Sequence, residues 1–145
     1  MLKKTIKYTD FDDNEITEDF YFNLTEAELV EMETQTGGGL KAKIERIMNT
    51  RDVSEIMKIF KDIIIKSYGV RSDDRKRFIK NQEVTDAFVQ SNAYSELYIE
   101  LVSNVNSAIE FITGIMPKKV SSQIDKKQLE SLINNPQAAI EAVKQ

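Results

Sequence analysis

The chain has 145 residues, 41% of them hydrophobic and 30% charged, with a formal net charge of −4, no cysteine and no histidine. That length and composition suit a single soluble globular domain able to bury roughly 68–70% of its unfolded surface. The missing residue types exclude disulfides and thiol catalysis and remove the commonest general base and metal ligand, so neither an enzyme nor a cofactor or metal site is expected.

No run of about 18 apolar residues is present to span a membrane. Residues 1–11 carry lysines but no apolar stretch, so no secretory leader is expected. Between Tyr8 and Leu40 the chain has ten acidic residues and no lysine or arginine. Such a surface repels nucleic acid and favours solubility, and a solvated face accounts for it.

Two runs near the start alternate with period two, Leu2 to Tyr8 and Ile16 to Leu24. They predict strands, and DFDDNE between them supplies turn residues. A hairpin cannot stand alone, so its Phe20/Phe22 face must lie on helices. Leu24-Thr25-Glu26-Ala27-Glu28-Leu29 then predicts a helix start, with Thr25 as N-cap, Glu28 as its capping-box partner, and Leu24 and Leu29 as a hydrophobic staple. That helix runs over about 26–33 and ends before Gly37-Gly38-Gly39. The glycines lack a GxxxxGK[ST] pattern and a preceding strand, so a hinge fits better than a phosphate loop. Leu40, Ile44, Ile47 and Met48 mark a second helix.

Val53 to Tyr68 carries the widest apolar stripe, including Ile56, Met57, Ile59, Phe60, Ile63, Ile64 and Ile65. It predicts the central helix of a small bundle, at about 53–68, with Asp52 and Glu55 as a capping box and Gly69 as a left-handed terminator. The fold class expected is mainly α with an N-terminal β-hairpin (α+β).

Residues 70–80 carry Arg71, Arg75, Lys76, Arg77 and Lys80 against Asp73 and Asp74. A nucleic-acid patch, a solvated turn and a protein-docking loop all fit this charge. Base stacking has no support beyond Phe78, and no further acid or base completes a catalytic set around the aspartates. Val84, Ala87 and Phe88 predict a short helix. Tyr94, Leu97, Tyr98, Leu101, Val102 and Val105, then Ala108 to Met116, predict one bent helix or two, since Ser103-Asn104-Val105-Asn106 interrupts the pattern. Pro117 closes this domain, 1–117. Residues 118–145 read as a linker and a peripheral helical tail, with Asp125 and Gln128 as a further capping box.

Several stretches, in order, resemble the tail assembly chaperones of long-tailed, siphovirus-type phages of Gram-positive bacteria. They are TDF (Thr9 to Phe11), EDFYFNLTEAEL (Glu18 to Leu29), GGL (Gly38 to Leu40), FKDIIIKSYGVRSDDRKRFIK (Phe60 to Lys80), AYSELYIEL (Ala93 to Leu101) and AIEFITGIMP (Ala108 to Pro117). The likeness covers roughly residues 1–117. One departure is Arg75, where such relatives often carry glycine, so a tight turn is not assumed there.

The resemblance implies a non-enzymatic protein that binds the tape-measure protein, a long helical polypeptide that sets tail length. It would keep that client soluble, help recruit tail-tube subunits, act in the host cytoplasm and be absent from the mature virion. Many such chaperones also have a second form made by a programmed frameshift. No nucleic-acid or membrane partner is expected. The resemblance brings no residue-level site. The residues themselves suggest Arg71, Arg75, Arg77 and Phe78 for partner contact, and self-association between the acidic hairpin and the basic 70–80 segment. Two other readings are a structural tail component retained in the virion and a small DNA-binding regulator.

Overall fold

The computed structural model describes residues 1–34, 39–49 and 52–118. Expectations for Gly37, Gly38 and the 119–145 tail lie outside the described residues.

Strands β1 (Leu2–Thr9) and β2 (Glu15–Phe22) form the expected antiparallel hairpin, in register from Leu2 opposite Phe22 to Thr9 opposite Glu15. Alternation sorts the faces. Ile6, Phe20 and Phe22 are buried, whereas Lys3, Thr5, Lys7, Thr17 and Asp19 face solvent. The connecting turn is closed by Asp10, whose carboxylate Oδ1 accepts from the amides of Asp12 and Asn14, both at 2.9 Å. Asp13 adopts φ 64°, a left-handed conformation that Asp tolerates better than most residues.

Helix α1 (Glu26–Glu33) starts as its sequence dictates. Glu28 N donates to Thr25 Oγ1 at 3.1 Å, and Thr25 N donates back to Glu28 Oε1 at 2.9 Å. Helices α2 (Leu40–Asn49) and α3 (Val53–Ser67) follow. At the start of α3 the Asp52 carboxylate accepts from Ser54 N, so the bond goes to the second helical amide rather than the third.

The end of α3 corrects the sequence reading. Gly69 is no helix terminator. Tyr68 already has extended backbone, with φ −70° and ψ 141°, and the chain passes straight into strand β3 (Tyr68–Arg71). Strand β4 (Phe78–Ile79) pairs with β3, so residues 70–80 form a second hairpin and not a free loop. Tyr21 lies opposite Gly69 and Phe22 opposite Tyr68, which completes an antiparallel sheet ordered β1-β2-β3-β4.

Helices α4 (Gln82–Val89), α5 (Asn92–Ser103) and α6 (Val105–Ile115) complete the described fold. The interrupted stretch resolves into two helices. Asn104 ends α5 and caps α6 by accepting from Ser107 N at 3.1 Å. The helices cover one face of the sheet. Lys4 of β1 pairs with Glu100 of α5 at 3.0 Å, and Leu24 N donates to Ile115 O at 2.7 Å.

The core is shared between α3, α5, α6 and an aromatic cluster that joins sheet to helices. Phe88 stacks on Tyr68 with ring centroids 4.3 Å apart, and Phe22 meets Phe111 edge-on at 5.1 Å. Each such side chain contributes about 1.5–3 kcal/mol on burial. Helix α3 contributes Ile59, Phe60, Ile63 and Ile64 to that core. The architecture is α+β, with an N-terminal hairpin and a second, smaller one inserted after α3.

Candidate interaction surfaces

The second hairpin holds the four candidate contact positions, Arg71, Arg75, Arg77 and Phe78, in different settings. Ser72 is its hub and is buried. Ser72 N donates to Arg77 O at 2.9 Å, while Ser72 Oγ accepts from Arg77 N at 3.0 Å and donates to Asp74 Oδ1 at 2.6 Å. Asp74 Oδ1 also accepts from Lys76 N. The Ser72 hydroxyl first, and the Lys76 amide second, hold the Asp74 carboxyl below its ordinary range. Arg75 occupies the left-handed position, φ 64°. The tight turn is therefore present with an arginine at its left-handed position.

Arg71 turns back onto the sheet. Its guanidinium lies over the Tyr21 ring, 3.8 Å from the centroid. Phe78 is half-buried against Gly69, close enough that a Cβ at Gly69 would fall 2.7 Å from the ring. Only Arg75 and Arg77, with Lys76 between them, project together at the exposed tip. Lys80 turns inward, where Nζ donates to Asn23 O, Lys66 O and Glu28 Oε2 at 2.6–2.8 Å. Nothing in the local sequence announces this lysine as a structural clamp.

A second surface lies along α3 and α5. Val53 and Met57 sit one turn apart on α3 and are 66% and 37% exposed. Tyr98 Oη donates to Met57 O at 3.3 Å, which sets α5 beside that turn. Tyr94 stacks on Tyr98 with centroids 5.7 Å apart, and Val102 follows one turn later. The exposed apolar edge of α3 thus adjoins a half-buried row on α5. Exposure of Val53 and Met57 was not legible in the apolar stripe, which is too wide to be covered on all sides.

A third feature is an open cleft of about 350 Å³ between α2 and α3, lined by Lys43, Arg46, Glu55, Lys58, Ile59, Asp62 and Lys66. Asp62 pairs with both Lys43 and Lys66, the latter at 3.1 Å. Burial pushes the Lys43 ammonium below its usual range, against the attraction of Asp62. Burial opposes ionisation of Asp62 too, but the bonds from Lys43 and Lys66 outweigh it and hold that carboxyl low. Arg46 Nε is buried without a hydrogen-bond partner. Among the described residues, no group of three or more acidic side chains is placed to hold a metal ion, and no helix is long and apolar enough to cross a membrane.

Fold and surfaces define a small α+β domain that carries an exposed basic tip, an apolar helix edge and a basic cleft. The model of a family described as phage tail assembly chaperone matches residues 1–145. The chain belongs to that family, and its role is that of a chaperone in phage tail assembly. No curated protein and no solved structure matches it.

Proposed function

We propose that this chaperone binds the tape-measure protein in the host cytoplasm, keeps it soluble and helps recruit tail-tube subunits, then departs without entering the virion. It acts by binding and not by catalysis. A long helical client exposes apolar stripes that aggregate before assembly. The observation that carries the reading is the α3/α5 surface, where Val53 and Met57 offer an apolar edge at helical spacing beside Tyr98. A helix of the client can lie along it by its own i, i+4 apolar row. Modest affinity at each site suffices when many copies line one client.

Co-expression with the tape-measure protein tests this. The client should stay soluble with the wild-type chain and sediment with a folded Val53→Glu/Met57→Glu variant. A client that aggregates beside wild type refutes the function. A client equally soluble with the variant refutes the surface.

A further inference from the structure

We infer that the outer edge of β1, from Lys3 to Lys7, takes up an extended segment of a partner protein as an added strand, and that it selects a segment alternating acidic and apolar residues. This surface is separate from the α3/α5 edge and does not rest on client binding there.

Strand β1 lies at one end of the sheet, whose order is β1-β2-β3-β4. Asp10 N donates to Asn14 O at 2.9 Å, which fixes the phase of the unbroken ladder behind it. Lys4 and Ile6 therefore exchange their backbone bonds with Phe20 and Glu18, while the backbone groups of Lys3, Thr5 and Lys7 point away from β2. Thr9, in the same phase, shows the direction: its carbonyl accepts from Asn92 Nδ2 at 2.7 Å. No backbone bond from a helix or loop of the described residues reaches Lys3, Thr5 or Lys7. Free edges are ordinarily blunted by shortness, proline or a bulge as well as by lysine. This one has eight residues, continuous register and no proline, so lysines alone guard it.

Beside that edge runs a cleft of about 280 Å³ between β1 and α5. Ile6 and Leu97 supply its apolar lining, and Lys4 and Glu100 neutralise each other across it at 3.0 Å. An added strand would present its two faces differently. Side chains next to Lys4 and Ile6 would enter the cleft, whereas those next to Lys3, Thr5 and Lys7 would stay on the solvent face. Apolar groups suit the cleft, and the exposed Glu96 on its rim turns carboxylates away. On the solvent face, the exposed Lys3 and Lys7 favour carboxylates directly across from them. A second copy is a poor occupant, because antiparallel pairing of two such edges about Thr5 sets Lys3 against Lys7 twice.

Hydrogen exchange followed by NMR on the full chain tests the inference. The probe is a blocked heptapeptide alternating glutamate and valine, and the control alternates lysine and valine. General attraction to a chain of net charge −4 would favour the control, so preference for the glutamate peptide reports the local edge. That peptide should slow exchange at the Lys3, Thr5 and Lys7 amides and leave Lys4 and Ile6, already held by β2, unchanged. Lys3→Glu/Lys7→Glu should bind it more than about tenfold more weakly and prefer the lysine peptide instead. Thr5→Pro removes the central donor, a change that an edge strand tolerates, and should lose as much affinity with an unchanged circular dichroism spectrum. The lysine swap alters exposed side chains only, so it decides the matter if Thr5→Pro unfolds. No binding of either peptide overturns the inference, as does equal binding of both to wild type or slowed exchange away from this edge. Protection of Lys3, Thr5 and Lys7 that grows with protein concentration in the absence of peptide gives the edge to a second copy and overturns it as well.

Discussion

Lys80 and Glu28, 52 residues apart in sequence, meet in an ion pair of 2.6 Å. Glu28 uses its other oxygen to complete the capping box of α1, while Lys80 also caps the carbonyls of Asn23 and Lys66. One side chain thus ties the second hairpin, the end of β2, the start of α1 and the last turn of α3 to one another.

Removing that lysine should be expensive. Lys80→Ala leaves a part-buried carboxylate and two carbonyls without their donor, at a cost of about 2–3 kcal/mol. Glu28→Gln keeps an acceptor for Thr25 N and should cost about 1 kcal/mol. Urea denaturation of both variants checks the order, and a Lys80→Ala loss under about 0.5 kcal/mol contradicts the clamp.

Acid should weaken the same contact. Burial opposes ionisation of Glu28, but Lys80 and the Thr25 amide prevail and hold its carboxyl below the ordinary 4.5. A depressed folded pKa contributes stability above the unfolded value, which is lost as pH falls through the folded one. Wild type should therefore lose stability below about pH 4.5, and Glu28→Gln should lose less over the same interval. Thermal melts between pH 7 and pH 3 measure the difference. Asp62 adds to the wild-type slope with the same sign, because its carboxyl is also held low.

Arg75 carries backbone strain at φ 64°. Glycine removes roughly 1–2 kcal/mol of left-handed penalty but costs about 0.5–1 kcal/mol in unfolded-chain entropy. Arg75→Gly should therefore be neutral or stabilising by up to about 1.5 kcal/mol, whereas the β-branched Arg75→Val should destabilise by at least about 1 kcal/mol. Equal melting temperatures for the two variants would argue against a strained turn.

Gly69 and Phe78 should behave as a coupled pair. A methyl group at position 69 would lie 2.7 Å from the Phe78 ring, so the ring must shift. Gly69→Ala should cost about 1–3 kcal/mol in wild type and clearly less in a Phe78→Ala background. Additive losses in a double-mutant cycle would show that the close approach carries no energy.

Local patterns carried much of this fold. The Thr25/Glu28 box, the period-two hairpin and the Asn104 break are each specified within a few residues, where caps and alternation act, and the structure reproduces them. The second hairpin was hidden because strands of four and two residues are too short to show a period. Gly69 followed a helical run and looked like a terminator, yet pairing with Tyr21 made it a strand residue. Three of the candidate positions are arginines grouped by charge, and charge does not say whether Arg71 finds Tyr21 or open solvent.

Sequence alone established the α+β class, the N-terminal hairpin and the chaperone family, since these rest on short-range periodicity and ordered segments. Folding decided which charges remain available, because Lys80 and Arg71 find Glu28 and Tyr21 only after distant segments have packed together. The α2/α3 cleft and the exposed edge of α3 arise in the same way, from how helices cover one another, a relation that a one-dimensional pattern does not contain.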